Sequence, residues 1–190
     1  MTSFEDHAVA FAAYLDSVVD DAEAAAQLPA LRDALHLEAR PDEAHDLLLD
    51  MDRLRDDSGS GVRVLRVRND DDLVAWSQLV ADQLPLEDGL APLLTTAVQA
   101  AGFGPNAPAQ AFIGLLDGVR VGTSFVYAEG ELAGIHAVTT AAEARRRGIG
   151  RALAEKAIRG GESVGALHAV ARVSREMRKN GERMGARTIE

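Results

Sequence analysis

Arg145, Arg146, Arg147, Gly148, Ile149, Gly150 and Arg151 stand together where a strand-like run gives way to helical spacing. That combination suits the holding of phosphate. The first N–H groups of a helix lack internal partners and sit at the positive end of its dipole, so they can cradle an anion. Gly148 and Gly150 carry no Cβ and let the backbone come close, while Arg145, Arg147 and Arg151 can add charge-assisted contacts.

Other phosphate and nucleophile motifs fit less well. A Walker A loop needs Gly-Lys followed by Ser or Thr at the helix start, and the chain has none. The dinucleotide fingerprint fails at its third small position, Leu153, and no acidic residue ends the next strand at Val170-Ala171. Ser58-Gly59-Ser60-Gly61 lacks the spacing of a nucleophile elbow and reads as a connector. The histidines form no metal-spaced cluster, so no metal is expected.

The elements that must position the loop follow from periodicity. Phe4, Ala8, Phe11, Leu15 and Val18 predict an amphipathic helix capped by Ser3. Pro41-Asp42-Glu43 reads as a second helix start, with Ala44, Leu47, Met51 and Leu54 as its buried stripe. Residues 1–60 are thus expected to be a helical segment and linker, and 61–190 the ligand-binding domain. Val62 to Arg68 predicts a strand; Asp70 to Asp72 caps a helix carrying Leu73, Val80 and Leu84, and Pro92 to Ala101 is helical. AFIGLLD, VRVGTSFVYA and ELAGIHAVT read as three antiparallel strands joined at Asp117-Gly118 and Glu129-Gly130. After the loop come a helix stopped by Gly160-Gly161, a strand over Val164 to Ala171 and a last helix capped by Ser174.

Arg145, two residues, Gly148, one residue and Gly150, behind the strand AGIHAVTT, resemble the pyrophosphate loop of the GNAT N-acetyltransferases. The order of three hairpin strands, loop, helix, strand and helix extends the resemblance over Val62 to Ala186. It implies an α+β fold, a mixed sheet splayed to form a cleft, with a helical N-terminal extension. It further implies acetyl-CoA as co-substrate, its pantetheine arm paired with the backbone of Val138, Thr139 and Thr140, and its diphosphate held by Arg145 to Arg151. The activity implied is transfer of an acetyl group to an amine of a small molecule or peptide. Glu131 and His136, on the strand entering the cleft, are the candidates for the base.

One part of the family pattern is missing. Its last helix usually ends in a Tyr that protonates the departing thiolate, followed by Gly-Phe; here Gly181 and Ala186 stand at the Tyr and Phe positions. A final pair of strands is also expected where the tail RTIE ends. The sequence therefore leaves open a CoA-binding module with little or no turnover, or a decayed or truncated paralogue. A homodimer is one way an exposed sheet edge would be covered.

Charge and composition narrow the partners. The net charge of -10 argues against nucleic acid, whose binding needs a basic surface. Residues 145–190 nevertheless hold 12 Lys+Arg against 5 Asp+Glu, leaving 8 against 25 for the rest, an asymmetry that points to a localised anionic ligand. There is no cysteine, no secretory start and no run of about 18 apolar residues, so cytoplasm is the expected location and no membrane is expected.

Overall fold

The structure is a computed structural model that describes residues 3–19, 22–34, 44–55, 61–84 and 90–189. The elements run in the order α1 (Phe4–Val18), α2 (Ala22–Ala34), β1 (Ala44–Asp50), β2 (Arg63–Arg66), α3 (Asp70–Gln83), α4 (Leu90–Ala101), β3 (Ala109–Leu116), β4 (Val119–Glu129), β5 (Leu132–Thr140), α5 (Ile149–Glu162), β6 (His168–Ser174), α6 (Arg175–Met184) and β7 (Arg187–Ile189). The seven strands form one mixed sheet in the order β2-β3-β4-β5-β6-β1-β7. Only β5 and β6 run parallel; every other neighbour is antiparallel.

Two cores sandwich the sheet. On one face Phe4, Phe11, Leu15, Leu73 and Trp76 pack onto Leu48, Phe125, Tyr127 and Val170. On the other, Ile149, Leu153 and Ile158 of α5 pack onto Leu49, Phe112, Val126 and Ile135. Removing this apolar area from water is the main term holding the layers together.

The local signals hold for most elements. Ser3 Oγ accepts from the Asp6 N–H while Asp6 returns a bond to the Ser3 N–H, the reciprocal box that starts α1. Asn69, one residue before the expected Asp run, caps α3 through its bond from the Asp72 N–H. Asp117 and Gly118, with φ of 52° and 82°, close the first hairpin with the positive φ pair that a two-residue turn requires. The second turn falls at Gly130-Glu131, one residue later than the sequence suggested. Ser174 caps α6 as expected.

Two expectations are corrected. The helix anticipated over Ala44 to Leu54 is strand β1 followed by a 3-10 turn at Met51–Arg53; its start signal, Pro41 to Glu43, lies outside the described residues, as do Ser58 to Ser60 of the connector. Leu47, Leu48 and Leu49 fit a strand because both sides of this sheet are covered: Leu48 enters one core, Leu49 the other, and all three are buried. The strand expected over Val164 to Ala171 begins only at His168, after a turn in which Gly165 has a φ of 104°. β1 and the short β7 fill the last two places of the sheet, so the end of the chain is paired rather than bare. Among the described residues, no helix is long and apolar enough to cross a membrane.

Candidate functional site

β5 and β6 are paired only through Leu132, Ala133 and Gly134; beyond that they part, and a wedge opens between them. A bulge in β5 helps to turn it away. The register with β4 shifts between Thr123↔Thr139 and Phe125↔His136, so two residues, Ala137 and Val138, oppose Ser124. Ala137 takes a φ of 48° at this point. Side chains hold the distortion: Thr123 Oγ1 donates to the Ala137 carbonyl at 2.9 Å, Trp76 Nε1 donates to the Ser124 carbonyl at 3.2 Å, and Ser124 Oγ donates to the Leu153 carbonyl at 2.8 Å.

The strand leads through a turn at Ala142–Ala144 into the basic loop. Arg145, Arg146, Arg147 and Gly148 are exposed, and Arg145 Nε donates back to the Thr140 carbonyl at 3.2 Å. Gly148 caps α5 with a φ of 78° and, lacking a side chain, makes no cap hydrogen bond to the first N–H groups of the helix. A Cβ at Gly150 would come no closer than 3.5 Å to Thr140 Oγ1; glycine there is not demanded by protein packing but keeps the mouth of the wedge clear.

Two adjoining spaces occupy the wedge. An outer cleft of about 1180 Å³ is lined by Val138, Thr139, Thr140 and every residue from Arg145 to Arg151, with Lys179, Asn180 and Arg183 facing them from α6. Six basic side chains, Arg145, Arg146, Arg147, Arg151, Lys179 and Arg183, therefore converge with only Glu176 in opposition among the described lining residues. An inner cavity of about 450 Å³ continues from Val138, Gly150, Met177 and Asn180 to Leu49, Ile158 and Met184, between α5 and α6. The polar mouth with its uncapped amides fits a diphosphate, and the unpaired edge of Val138 to Thr140 fits an amide-bearing arm laid along it.

The two candidate bases separate. Glu131 lies in the turn at the far end of β5, roughly 25–30 Å of strand away from Thr140, and the cleft does not include it. His136 does line the inner cavity, but its Nε2 lies 2.8 Å from Nε2 of His7 on α1. Phe4, Phe11, Phe125 and Tyr127 surround the two rings. Burial holds His7 down at about 4, so it is neutral at pH 7. Gly134 makes this possible, because a Cβ there would overlap the His7 ring.

His7 carried no motif and could be found only through the fold. The same holds for Arg172, which stacks over Phe4 at 4.3 Å and binds buried Asp46 through two bonds of 2.7 and 2.9 Å. It also reaches Glu5 at 2.7 Å, so one guanidinium ties α1 to β1 and β6 beside the wedge. Gly181 lies against Leu47, whose side chain occupies the space that a side chain at 181 would take. No tyrosine lines either space among the described residues; Tyr14 and Tyr127 stack on each other at the far side of the sheet, both pushed up to about 12, chiefly by burial.

Residues 26–180 match the family model described as Acetyltransferase (GNAT) family. Solved structures share the fold. A GCN5-related N-acetyltransferase from Kribbella flavida is 21% identical with a TM-score of 0.60, covering 80% of this chain and 55% of its own. Glucosamine-6-phosphate N-acetyltransferase from Arabidopsis thaliana is 14% identical with a TM-score of 0.55, covering 68% and 93%. AAC(6')-Iy, in complex with a CoA bisubstrate analogue, is 17% identical with a TM-score of 0.56, covering 65% and 89%. The chain spans just over half the length of the Kribbella flavida protein. No curated protein sequence gives a significant match.

Proposed function

The chain belongs to the GNAT acetyltransferase family, and on that premise we propose that it transfers an acetyl group from acetyl-CoA to an amine by direct attack. The observation that carries the reading is the uncapped start of α5 at Gly148, set beside the free edge of Val138 to Thr140 in one basic cleft. The amides after Gly148, with Arg145, Arg146, Arg147 and Arg151, hold the diphosphate; the β5 edge holds the pantetheine arm and aims the thioester into the wedge. AAC(6')-Iy, a protein of this fold, is known in complex with a CoA bisubstrate analogue, which supports CoA as the co-substrate.

In the reaction the neutral amine attacks the thioester carbonyl carbon, a C–N bond forms, the C–S bond breaks and the thiolate carries off the electron pair. Strand N–H groups polarise the carbonyl as charge develops. The proton released by the amine goes to His136 on the cavity wall, whose ring His7 holds in place, and from there to solvent. Thiols have a pKa near about 8.5, so the thiolate departs without a dedicated acid at Gly181.

A second reading, binding of CoA without turnover, is favoured by the lack of tyrosine in the lining. Thiol release from acetyl-CoA with a broad panel of amines decides between them. Transfer predicts release above the amine-free rate for at least one acceptor; tight CoA binding with no release for any amine leaves the binding module standing.

A further inference from the structure

We propose that the acyl donors of this protein extend beyond acetyl to saturated acyl groups of four to six carbons, held in the inner cavity. The proposal rests on the CoA reading of the cleft given above.

The two spaces differ in chemistry. The outer cleft supplies what a pantetheine arm and a diphosphate require, namely strand backbone, uncapped helix amides and basic side chains. The inner cavity shares Val138, Arg151, Ser174 and Asn180 with the outer cleft, and His136 and Arg172 also line it, but the part away from them is apolar. Leu47, Leu49, Ile158, Ala169 and Met184 line it with aliphatic and thioether atoms, all buried. An amide placed there would lose its hydrogen bonds to water without replacement, a cost of about 1–3 kcal/mol. The arm therefore stays at the β5 edge, and what extends inward must be apolar.

The depth exceeds the need of an acetyl group. From Gly150 to Ile158 the cavity follows α5 for eight residues, about 12 Å. Its width comes from small residues: Gly150 and Ala154 on α5, Ala169 and Ala171 on β6, and Ala186 after α6. A thioester aimed at the bulge of Ala137 would leave its methyl group facing this space, and further methylenes would fill it. Each methylene moved from water into such a site strengthens binding by about fourfold.

Calorimetry on the full chain with CoA, acetyl-CoA, butyryl-CoA and hexanoyl-CoA tests the idea. Butyryl-CoA should bind about 15-fold more tightly than acetyl-CoA, and hexanoyl-CoA at least as tightly as butyryl-CoA. In Ala154→Leu, which narrows the cavity from α5, hexanoyl-CoA should lose at least about tenfold relative to CoA measured on the same variant; Ala171→Leu repeats the test from β6 if the first variant does not fold. Affinity that is flat or falls with chain length, while CoA itself binds, overturns the acyl-chain proposal alone. Failure of every thioester and of CoA to bind overturns the underlying reading and this proposal with it.

Discussion

Leu47 of β1 rests directly on the α-carbon of Gly181 in α6, close enough that any side chain at 181 would overlap its Cδ1. The glycine at the family's tyrosine position is thus a packing seat for a strand from the start of the chain. Gly181→Tyr should lose about 1–3 kcal/mol to overpacking, with less than about 1 kcal/mol returned by helix propensity. Combining it with Leu47→Ala should give a loss smaller than the sum of the two single losses, because each change makes room for the other. Urea denaturation of the four proteins gives the coupling directly, and additive losses would mean the two residues do not meet.

The burial of His7 makes stability depend on pH. His7 has its pKa lowered by burial to about 4 in the folded state against 6.5 unfolded, so between these values the unfolded chain binds more protons. Stability is full above pH 6.5 and falls as pH drops towards 4, by roughly 3 kcal/mol in all from this group. The slope should be shallower in His7→Gln, whose amide can still meet His136. Chemical denaturation at a series of pH values reads it, with a pH-independent wild type as the contrary result.

Arg172 and Asp46 face each other in register on β6 and β1, 5% and 1% exposed in their side chains. Removing one partner of such a pair strands the other charge in the interior. Arg172→Ala should therefore cost about 3–5 kcal/mol, and Arg172→Lys should recover little, since an ammonium cannot make both bonds to the carboxylate and still reach Glu5. Melting curves for the two variants suffice; a loss below about 1 kcal/mol, as for a surface pair, would contradict the burial.

Arg147→Glu combined with Gly148→Glu should abolish CoA binding in calorimetry, because negative charge and bulk enter the mouth of α5 where Gly148 has its φ of 78°. The melting temperature should fall by several degrees, because Gly148→Glu forces a side chain onto a left-handed backbone, without the protein unfolding. Unchanged affinity would remove the loop from the site.

The loop and the hairpins were legible because glycine and arginine positions act locally: Gly118, Gly130 and Gly148 set backbone conformation wherever the rest of the chain lies. β1 was misread because Ala44, Leu47 and Met51 also satisfy helical spacing, and only the sheet around them decides. Asp46 reads as a solvated residue until Arg172, 126 positions later, is placed opposite. His136 could be picked from its strand, but its partner and the need for Gly134 to lack a side chain depend on how α1 lies across the sheet. Glu131 lies outside the lining of both spaces because the direction of β5 fixes which residues reach the wedge.

The position of β1 between β6 and β7 also bears on biosynthesis. The Asp50–His168 and Asp46–Arg172 contacts join segments 118 and 126 residues apart, so a ribosome adding about 5–20 residues each second releases Leu47 to Leu49 roughly 6–25 s before their neighbours exist. For that interval a strand of three consecutive leucines is orphaned in the nascent chain, making it a natural ligand for a holding chaperone and the point from which an interrupted translation product would aggregate.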